Sequence, residues 1–320
     1  MRVAVVGATG ALGSELLGAL DDAHLPISTL VPIATDRSLG SEVELRGEAL
    51  AVETDLERLH DADLVFLCAP APASLEAARL ALRARVAAID CSGALAGNAD
   101  VPLVAELGVP GAPALDAPIL AVPPGASLAC ARVLGPIARA FGLRRVVATF
   151  LESASGAGRA GIQALSEETI ALLSQQELPD PPTLAFDVSS AIGEIDDAGG
   201  SAWERAFGTV LTRALGAVPL ATTALRVPVF CGEGVSLAVD LAEPVELARI
   251  VELLAKADGL DLGSPAPSTR AAAGSEDVHV GRLRRDPSSE QGVLLFLTAD
   301  GLRLTAAHAV RVAEARFRRV

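Results

Sequence analysis

The sequence contains few basic residues: 26 lysines and arginines stand against 40 aspartates and glutamates, and the formal net charge is −14. Nucleic acids and anionic membrane surfaces attract proteins mainly through basic patches. We therefore expect neither a nucleic acid nor a membrane among the partners of this chain.

Long apolar runs are also lacking. No stretch reaches the roughly 20 apolar residues that a transmembrane helix needs, and residues 1–7 lack the long apolar core and cleavage site of a signal peptide. Hydrophobic residues nevertheless make up 51% of the 320 residues, which is enough for a full core in one or two globular domains. These features predict a soluble, cytoplasmic protein.

Cysteine is scarce as well. The four cysteines are Cys68, Cys91, Cys130 and Cys231, and no two of them form a Cys-x-x-Cys pair. This spacing indicates neither a zinc site nor a disulfide framework, so we predict no metal site. We expect all four side chains to be small buried hydrophobes.

The first third of the chain alternates apolar strands with amphipathic helices. The predicted strands are residues 2–6, a strand ending near residue 33, and residues 64–68 and 86–90; the predicted helices are residues 11–20 and 74–85. Nearly unbroken apolar strands are typical of parallel sheets that are covered on both faces. The alternation therefore predicts a doubly wound α/β sheet.

A connection rich in proline and alanine, residues 102–118, leads to a less regular second part. The predicted helices there are residues 127–141, 161–176 and 305–319, and the predicted strands are residues 145–151, 224–229, 235–241 and 291–298. Pro136 is expected to kink the first of these helices or to end it early. Residues 264–275 are small and polar, which predicts a mobile loop.

A glycine loop, Gly7-Ala8-Thr9-Gly10-Ala11-Leu12-Gly13, joins the first strand to the first helix. In dinucleotide-binding turns the first glycine permits the tight turn, the second lets backbone N–H groups approach a pyrophosphate, and the third lets helix and strand pack closely. The helix N-terminus adds its positive dipole. The predicted cofactor contacts are Gly7, Thr9, Gly10, Ala11, Leu12 and Gly13.

The segment after the second strand bears on the choice of cofactor. Domains that prefer NAD place an acid at the end of this strand to hold the ribose 2′-hydroxyl, whereas here Arg37 and Ser38 follow Asp36. A guanidinium and a hydroxyl suit the 2′-phosphate of NADP, although Asp36 is an unfavourable neighbour for that phosphate. We predict that Arg37 and Ser38 bind NADP; the alternative is an ordinary polar loop.

Six separated motifs resemble those of aspartate-semialdehyde dehydrogenases, in the family's order and over nearly the whole chain. They are Arg37-Ser38-x-Gly40, Asp90-Cys91-Ser92-Gly93-Ala94, Asp100-Val101-Pro102-Leu103-Val104, Ser153-Ala154-Ser155-Gly156-Ala157-Gly158, Arg226-Val227-Pro228-Val229-Phe230-x-Gly232 and Val280-Gly281-Arg282-Leu283-Arg284-x-Asp286-Pro287. The resemblance implies an NADP-dependent reaction in which a cysteine thiolate attacks an aldehyde, hydride leaves to NADP, and phosphate opens the thioester. It also implies a histidine acid/base and arginines that hold the anionic groups.

The resemblance also implies the architecture. We expect an N-terminal Rossmann-like NADP-binding domain over residues 1–125 and an α+β substrate and dimerisation domain over residues 126–302. The C-terminal helix, residues 303–320, is expected to pack back on the first domain. Because the family's substrate domain carries the dimer contact, a homodimer is the default, and an active paralogue is the alternative partner.

The residues that carry the family chemistry are replaced in this chain. The turn Leu120-Ala121-Val122-Pro123-Pro124-Gly125 resembles the family's Ile-Ala-Asn-Pro-x-Cys, so Gly125 occupies the place of the nucleophile. Glu233 occupies the place of the histidine, and a carboxylate serves as a base there only if burial raises its pKa. We therefore predict no catalytic residue at these positions.

Of four further sites of the family pattern, three differ in this chain and one is retained. Glu152 stands in place of a glutamine and is expected to repel anions. Ala96 replaces a phosphate-binding arginine, and Pro70-Ala71 replaces a glycine pair on the cofactor side, which removes a backbone N–H. Arg226 is retained where the family holds the substrate carboxylate, and we predict that it binds substrate.

Three functions follow as hypotheses. The first is a catalytically impaired homologue that binds NADP weakly and acts as a scaffold or partner, like the family's branch of paralogues without the cysteine. The second is an active NADP-dependent aspartate-semialdehyde dehydrogenase of amino-acid biosynthesis with an unconventional nucleophile, for which Cys231 is the candidate because a strand would place it on the side of Glu233. The third is a non-covalent reductase or small-molecule sensor that uses Glu152, Glu233 and Arg226.

Overall fold

The computed structural model describes residues 1–177 and 184–318. The chain divides into two compact units: Met1–Pro124 together with Thr305–Val320 form the first, and Gly125–Leu304 form the second. The first unit thus combines the beginning and the end of the chain.

The first unit contains a parallel sheet of five strands and a two-stranded hairpin. Its strands are β1 (Arg2–Val6), β2 (Thr29–Ile33), β3 (Glu42–Leu45), β4 (Glu48–Ala51), β5 (Leu64–Leu67), β6 (Ala87–Asp90) and β7 (Ile119–Ala121), and its helices are α1 (Ala11–Asp21) and α2 (Ala71–Ala84). The sheet order is β2-β1-β5-β6-β7, and every neighbouring pair is parallel. The carboxyl ends of these strands therefore share one edge of the sheet.

The second unit contains a mixed sheet of six strands with helices. Its strands are β8 (Leu143–Glu152), β9 (Leu220–Arg226), β10 (Glu233–Leu241), β11 (Leu260–Asp261), β12 (Val278–Arg285) and β13 (Gly292–Ala299); its helices are α3 (Gly125–Phe141), α4 (Gly158–Leu173), α5 (Ala202–Leu215), α6 (Leu247–Leu254) and α7 (Thr269–Ala272), and the last helix, α8 (Gly301–Phe317), begins in it. The order is β11-β12-β13-β10-β8-β9. β8 runs parallel to β9 and antiparallel to β10. The ends of β8 and β9 and the start of β10 therefore lie next to one another.

Two apolar cores lie on opposite faces of the parallel sheet. Val3 and Val5 of β1 contribute to a core that also contains apolar residues of α1 and of the C-terminal part of α8. Ala4 and Val6 contribute to a second core with α2. Because successive side chains of a strand point to opposite faces, the nearly continuous apolar sequence of β1 serves both cores. The predicted doubly wound α/β fold is confirmed, including the packing of the C-terminal helix on the first unit.

An aromatic stack connects α5 to the second sheet. Trp203 of α5 stacks on Phe150 of β8 with 4.6 Å between ring centroids, and Phe207 stacks on Trp203 at 5.4 Å. Ser201 caps this helix in a capping box with Glu204, which satisfies two N–H groups at the helix start. The sequence prediction missed α5, although Trp203, Phe207, Val210 and Leu211 recur at the spacing of one helix face.

Pro136 neither ends nor shortens its helix. α3 runs through it from Gly125 to Phe141, although a proline removes one helical hydrogen bond and crowds the preceding turn. Most of α3 is buried, including Val133, Leu134 and Ile137 on both sides of the proline. Tertiary packing along the helix therefore outweighs the local penalty.

The predicted loop over residues 264–275 contains a helical turn, α7. Ser268 caps it by accepting a hydrogen bond from the N–H of Ala271, and Ala272 is fully buried. The small residues that suggested a loop instead allow close packing, as at Gly281, where an added Cβ would lie 2.7 Å from the carbonyl oxygen of Ser264. Arg319, the predicted end of the last helix, lies outside the described residues.

Within residues 1–177 and 184–318, the helices are all too short or too polar to cross a lipid bilayer.

Candidate functional site

The glycine loop is held between β2 and the end of β5. Gly7 has a φ of +87°, which favours glycine, and its N–H donates to the carbonyl oxygen of Ile33 at 2.8 Å. An added Cβ on Gly7 would lie 2.6 Å from the N atom of Ala69. The turn at this position therefore requires glycine both for its backbone conformation and for space.

The helix after the loop presents an open N-terminus. Gly10 precedes α1 as its N-cap, Ala11 and Leu12 begin the helix, and its first turn contains no acidic residue. An added Cβ on Gly13 would overlap the carbonyl oxygen of Gly7, so the third glycine is needed for close packing. Free N–H groups at a helix start, close to a glycine turn, fit the pyrophosphate of a dinucleotide.

The structure brings the two predicted cofactor segments together. The hydroxyls of Thr9 in the glycine loop and Ser38 lie 2.9 Å apart. Asp36, Arg37 and Ser38 form a single 3-10 turn after β2, and Arg37 is exposed there. The guanidinium therefore lies on the segment that directly contacts the loop, as expected for a group that reaches a ribose phosphate.

The other positions in the first unit at which the sequence differs from the family pattern follow β5 and β6. Pro70 is the N-cap of α2, a position at which its missing N–H costs no helical hydrogen bond. Ala96 is fully buried, so no side chain extends outward from the place of the family's arginine. Burial raises the pKa of the nearby Asp90 carboxyl, which accepts hydrogen bonds from Ser92 and from the N–H of Leu95.

Cys68 and Cys91 follow β5 and β6 and are both buried. The pKa of the Cys91 thiol is raised well above its usual value by burial and by its neighbours Cys68 and Asp90. A thiol with a raised pKa is a poor nucleophile. These two cysteines are the small buried side chains that the sequence predicted.

The first residues of α3 and α8 are in contact in the second unit. An added Cβ on Gly125 would overlap the Cα of Gly301 and would lie 2.8 Å from its carbonyl oxygen. Real Cβ atoms essentially never approach backbone this closely. The position that the resemblance assigns to a nucleophile therefore has no room for a side chain unless the backbone moves.

Glu233 lies on the other side of Gly301. An added Cβ on Gly301 would lie 2.5 Å from Oε2 of Glu233 and 2.6 Å from its Cδ, so the carboxyl group packs against the glycine. Oε2 is shielded from solvent and has no hydrogen-bond partner among the described residues. The pKa of Glu233 is raised to about 8, first by burial and then by the charges of Glu152 and Asp300. At neutral pH this group is therefore mostly the neutral acid.

Glu152 and Arg226 form a buried ion pair beside Glu233. They are register partners at the ends of β8 and β9. Arg226 donates to Oε2 of Glu152 from Nε at 3.1 Å and from Nη2 at 2.5 Å. Glu152 packs on Gly156, where an added Cβ would lie 2.6 Å from its Oε1. Glu152 thus binds the arginine that the sequence assigned to substrate.

The remaining cysteines lie in α3 and directly before β10. Cys130 is fully buried in α3, and burial raises the pKa of its thiol, with a smaller contribution from the charge of Glu233. Cys231 is half-buried and precedes β10. Gly232, between it and Glu233, has a φ of +86°, so the strand period that placed Cys231 beside Glu233 does not apply, and that part of the prediction was wrong.

The histidines take part in other contacts. His308 is buried, with Nε2 2.8 Å from the carbonyl oxygen of Val104, and His279 pairs through Nδ1 with Asp261 at 2.8 Å. His60 pairs with Glu57 on the surface. In the part of the chain that the structure describes, no cluster of His, Cys, Asp and Glu side chains has the arrangement of a metal site.

Three residues of this site were missed by sequence analysis. Asp300 lies directly before α8, Gly301 is the first residue of α8, and Gly156 packs against the side chain of Glu152. Asp300 accepts hydrogen bonds from the N–H groups of Gly274 and Arg303. The pair Asp300-Gly301 is a recognisable turn signal, but nothing in it indicates contact with Gly125, which depends on the fold.

Comparison with protein families accounts for both units. Residues 2–107 match the NAD binding domain of semialdehyde dehydrogenases, and residues 134–304 match the dimerisation domain of semialdehyde dehydrogenases. The glycine loop therefore lies in a domain of the NAD-binding type, and Glu152, Arg226 and Glu233 lie in the dimerisation domain.

Individual relatives match over almost the full length. The chain is 31% identical to the aspartate-semialdehyde dehydrogenase of Rickettsia conorii (98% of this chain, 96% of the relative) and 31% identical to a USG-1 protein homolog of Pseudomonas aeruginosa (96% and 94%). The structure of aspartate semialdehyde dehydrogenase II from Vibrio cholerae, solved in complex with ASA, superposes with a TM-score of 0.91 at 28% identity (99% and 98%). A probable aspartate-semialdehyde dehydrogenase from Pseudomonas aeruginosa superposes with a TM-score of 0.89 at 31% identity (98% of both chains). By sequence and by structure, the chain belongs to the aspartate-semialdehyde dehydrogenase family.

Proposed function

We propose that this chain is a catalytically impaired member of its family, which acts as a dinucleotide-binding scaffold or partner. The observation that carries the proposal is the contact between Gly125 and Gly301. A missing thiol alone leaves room for another group to take over. Here the space that a side chain at position 125 would need is filled by backbone, because the first residues of α3 and α8 are in contact.

The acid/base position supports the same conclusion. The raised pKa of Glu233, about 8, lies in the range that acid/base catalysis needs near neutral pH. Its carboxyl group, however, packs against Gly301, and Oε2 is shielded from solvent and has no hydrogen-bond partner among the described residues. Because a general acid or base must come within hydrogen-bond reach of the proton that it transfers, Glu233 is poorly placed for the role that the family gives to a histidine.

The first unit supports binding of NADP by a protein that does not catalyse hydride transfer. Gly7, Gly10 and Gly13 keep the geometry of the pyrophosphate loop, and the contact of Thr9 with Ser38 brings the Arg37 segment to it. NADP, when bound, supplies a hydride acceptor. We infer that binding is weakened because Pro70 offers no N–H on the cofactor side, where the family has glycine.

Self-association is the second part of the proposal. Apolar side chains exposed in the second unit occur close together in sequence: Ile170, Leu173, Phe186, Val188 and Ile195 are each more than half exposed. Exposed apolar patches of this kind mark interaction surfaces. Together with the match to a dimerisation domain, they support a homodimer.

The alternative function is an active NADP-dependent aspartate-semialdehyde dehydrogenase with a relocated nucleophile. The observation that favours it is Cys231, which is only half-buried and lies two residues before Glu233. A thiol that is accessible and near the site is the remaining route to a thioester.

The test is an assay of NADP-dependent oxidation of aspartate semialdehyde in the presence of phosphate, at high concentration of protein made in a host that lacks its own enzyme. We expect no turnover above the blank, with an intact fold by circular dichroism. Turnover that disappears in the Cys231→Ala variant would instead establish the alternative. Turnover that persists in Cys231→Ala would contradict both proposals and would require a mechanism without that thiol.

A further inference from the structure

We propose that Glu152 is an internal carboxylate ligand of Arg226, so that in the second unit the Nε–Nη2 edge of this arginine is closed to other carboxylates. The inference concerns the same site as the proposed function and rests on it only in treating the site as non-catalytic. It makes a prediction about ligand class, which binding and stability measurements test without any assay of turnover.

Glu152 occupies an edge of the Arg226 guanidinium that a carboxylate ligand would use. Carboxylates bind arginine most strongly through two parallel N–H groups of the planar fork. In this structure Nε and Nη2 of Arg226 both donate to Oε2 of Glu152. An incoming carboxylate must therefore displace Glu152 to use this edge.

Backbone hydrogen bonds hold both residues of the pair in place. Arg226 exchanges two backbone hydrogen bonds with Ser189, at 2.9 and 3.0 Å, and the N–H of Val227 donates to the carbonyl oxygen of Glu152 at 2.9 Å. The side chain of Glu152 folds back onto Gly156, which leaves space for it only because it lacks a Cβ. Little conformational freedom is lost when the pair forms, which favours the internal carboxylate over a ligand from solution.

The two side chains of the ion pair are buried to different extents. The side chain of Glu152 is 6% exposed, whereas that of Arg226 is 29% exposed. The cation therefore remains accessible from solvent when the carboxylate is removed. An arginine in this position is a ready site for a small anion once its internal partner has gone.

The experiment is chemical rescue in Glu152→Ala, a substitution that removes the carboxyl group and leaves space close to the size of acetate. Thermal unfolding is measured with sodium acetate, acetamide or sodium chloride, at constant ionic strength for the two salts. We expect the variant to melt a few degrees below the wild type, because the partly buried Arg226 loses its partner. Acetate should recover part of this loss in a saturable way, whereas acetamide and chloride should not.

Two controls make the result specific. In the double variant Glu152→Ala/Arg226→Ala acetate should have no effect, because the cation is absent. In Glu167→Ala, which removes an exposed glutamate of α4, acetate should also have no effect. Rescue by acetate in either control, or rescue by chloride equal to that by acetate, would overturn the proposal.

A second variant covers the case in which Glu152→Ala does not fold. Glu152→Gln keeps the volume and removes the charge, so acetate should bind it at least about tenfold more tightly than it binds the wild type, measured by calorimetry. If the wild type binds acetate as tightly as the variant does, Glu152 orients Arg226 for a ligand instead of occupying it, and the proposal is wrong. None of these outcomes depends on whether the protein turns over aspartate semialdehyde, so the two proposals can fail separately.

Discussion

The Cα of Gly301 lies so close to Gly125 that it would overlap a Cβ on that residue. Each glycine is the first residue of a long helix, α3 and α8 respectively. A cysteine at position 125 therefore requires the first residues of α3 and α8 to move apart.

Gly125→Cys and Gly125→Ala should both destabilise the second unit. Overpacking against backbone commonly costs about 1–3 kcal/mol, and we expect a loss in that range in the free energy of unfolding for each variant. Urea unfolding followed by fluorescence is suited to the measurement, since Trp203, in the second unit, is the single tryptophan of the sequence. Gly125→Cys should also remain without turnover.

Gly208→Ala provides the matched control. Gly208 lies within α5, and a Cβ there would come no closer than 3.8 Å to its nearest neighbour, Cδ2 of Leu220, which is ordinary contact. Because alanine favours helix over glycine, this substitution should be neutral or stabilise by up to about 1 kcal/mol. Equal stability of the Gly125 and Gly208 variants would show that α3 and α8 separate freely, and turnover in Gly125→Cys would show that only the thiol is missing.

The raised pKa of Glu233 predicts a pH dependence of stability. Its value is about 8 in the folded protein, against an ordinary value of 4.5. Between these two values the unfolded chain loses the proton while the folded chain keeps it, so the stability contributed by this group is complete below pH 4.5 and declines as the pH rises to about 8. The decline should amount to a few kcal/mol and should level off at higher pH.

Glu233→Gln isolates this contribution. Glutamine resembles the neutral acid and does not titrate, so the variant should gain stability relative to wild type as the pH is raised from 5 to 8.5, and the difference should be smallest at pH 5. Urea unfolding at several pH values, with the same buffers for both proteins, measures the difference. A difference that is constant across this range would mean that Glu233 is already ionised at pH 5 in the folded protein.

The contact between Thr9 and Ser38 predicts the cofactor preference. Since Arg37 lies on the turn that contacts the glycine loop, Arg37→Ala should weaken binding of NADP about tenfold, which corresponds to the loss of one charge-assisted hydrogen bond. Binding of NAD, which has no 2′-phosphate, should be almost unchanged. Titration calorimetry with both cofactors gives the two affinities.

Arg58→Ala is the control for a general loss of positive charge. Arg58 lies on the surface of the same unit and pairs with Glu53 at 2.9 Å, away from the glycine loop in sequence. It should leave the ratio of the NADP and NAD affinities unchanged. If Arg37→Ala weakens both cofactors equally, the turn does not reach the 2′-phosphate, and the alternative of an ordinary polar loop is correct.

Sequence reasoning succeeded where local pattern and chain order determine the structure. The apolar run of β1, the glycine loop and α1 lie next to one another in the chain, and each supports the interpretation of the next. The proximity of Arg37 to the glycine loop followed from the parallel order of β1 and β2, since the carboxyl ends of parallel strands share an edge. These are relationships that the sequence expresses directly.

The contacts that decide the site could not be predicted in this way. Gly301 contacts Gly125 although the two are far apart in the chain, and only the fold of the second unit brings them together. Glu152 was expected to repel anions, but its pairing with Arg226 depends on the register of β8 and β9. Cys231 was misplaced because the φ of +86° at Gly232 interrupts the strand period on which the prediction relied.

The exposed apolar side chains of the second unit predict where the proposed homodimer forms. Leu173, at the end of α4, is 74% exposed, and Ile170, one turn earlier on the same helix, is 59% exposed. An exposed pair at this spacing lies on one face of the helix, and burying it in an interface would remove apolar surface from water. Leu173→Glu should therefore weaken dimerisation at least about tenfold, because a charge would have to enter the interface.

Leu82→Glu is the matched control, since Leu82 is also an exposed leucine near the end of a helix, α2, at 53% exposure, but belongs to the first unit. Sedimentation or light scattering over a range of protein concentrations should give a dimer for the wild type and for Leu82→Glu, and a larger monomer fraction for Leu173→Glu. Circular dichroism must show the same helix content in all three proteins, because a charge on a leucine that is already exposed leaves the fold of the unit intact. If Leu82→Glu dissociates the protein and Leu173→Glu does not, the association surface lies on the first unit, and the apolar face of α4 has another purpose.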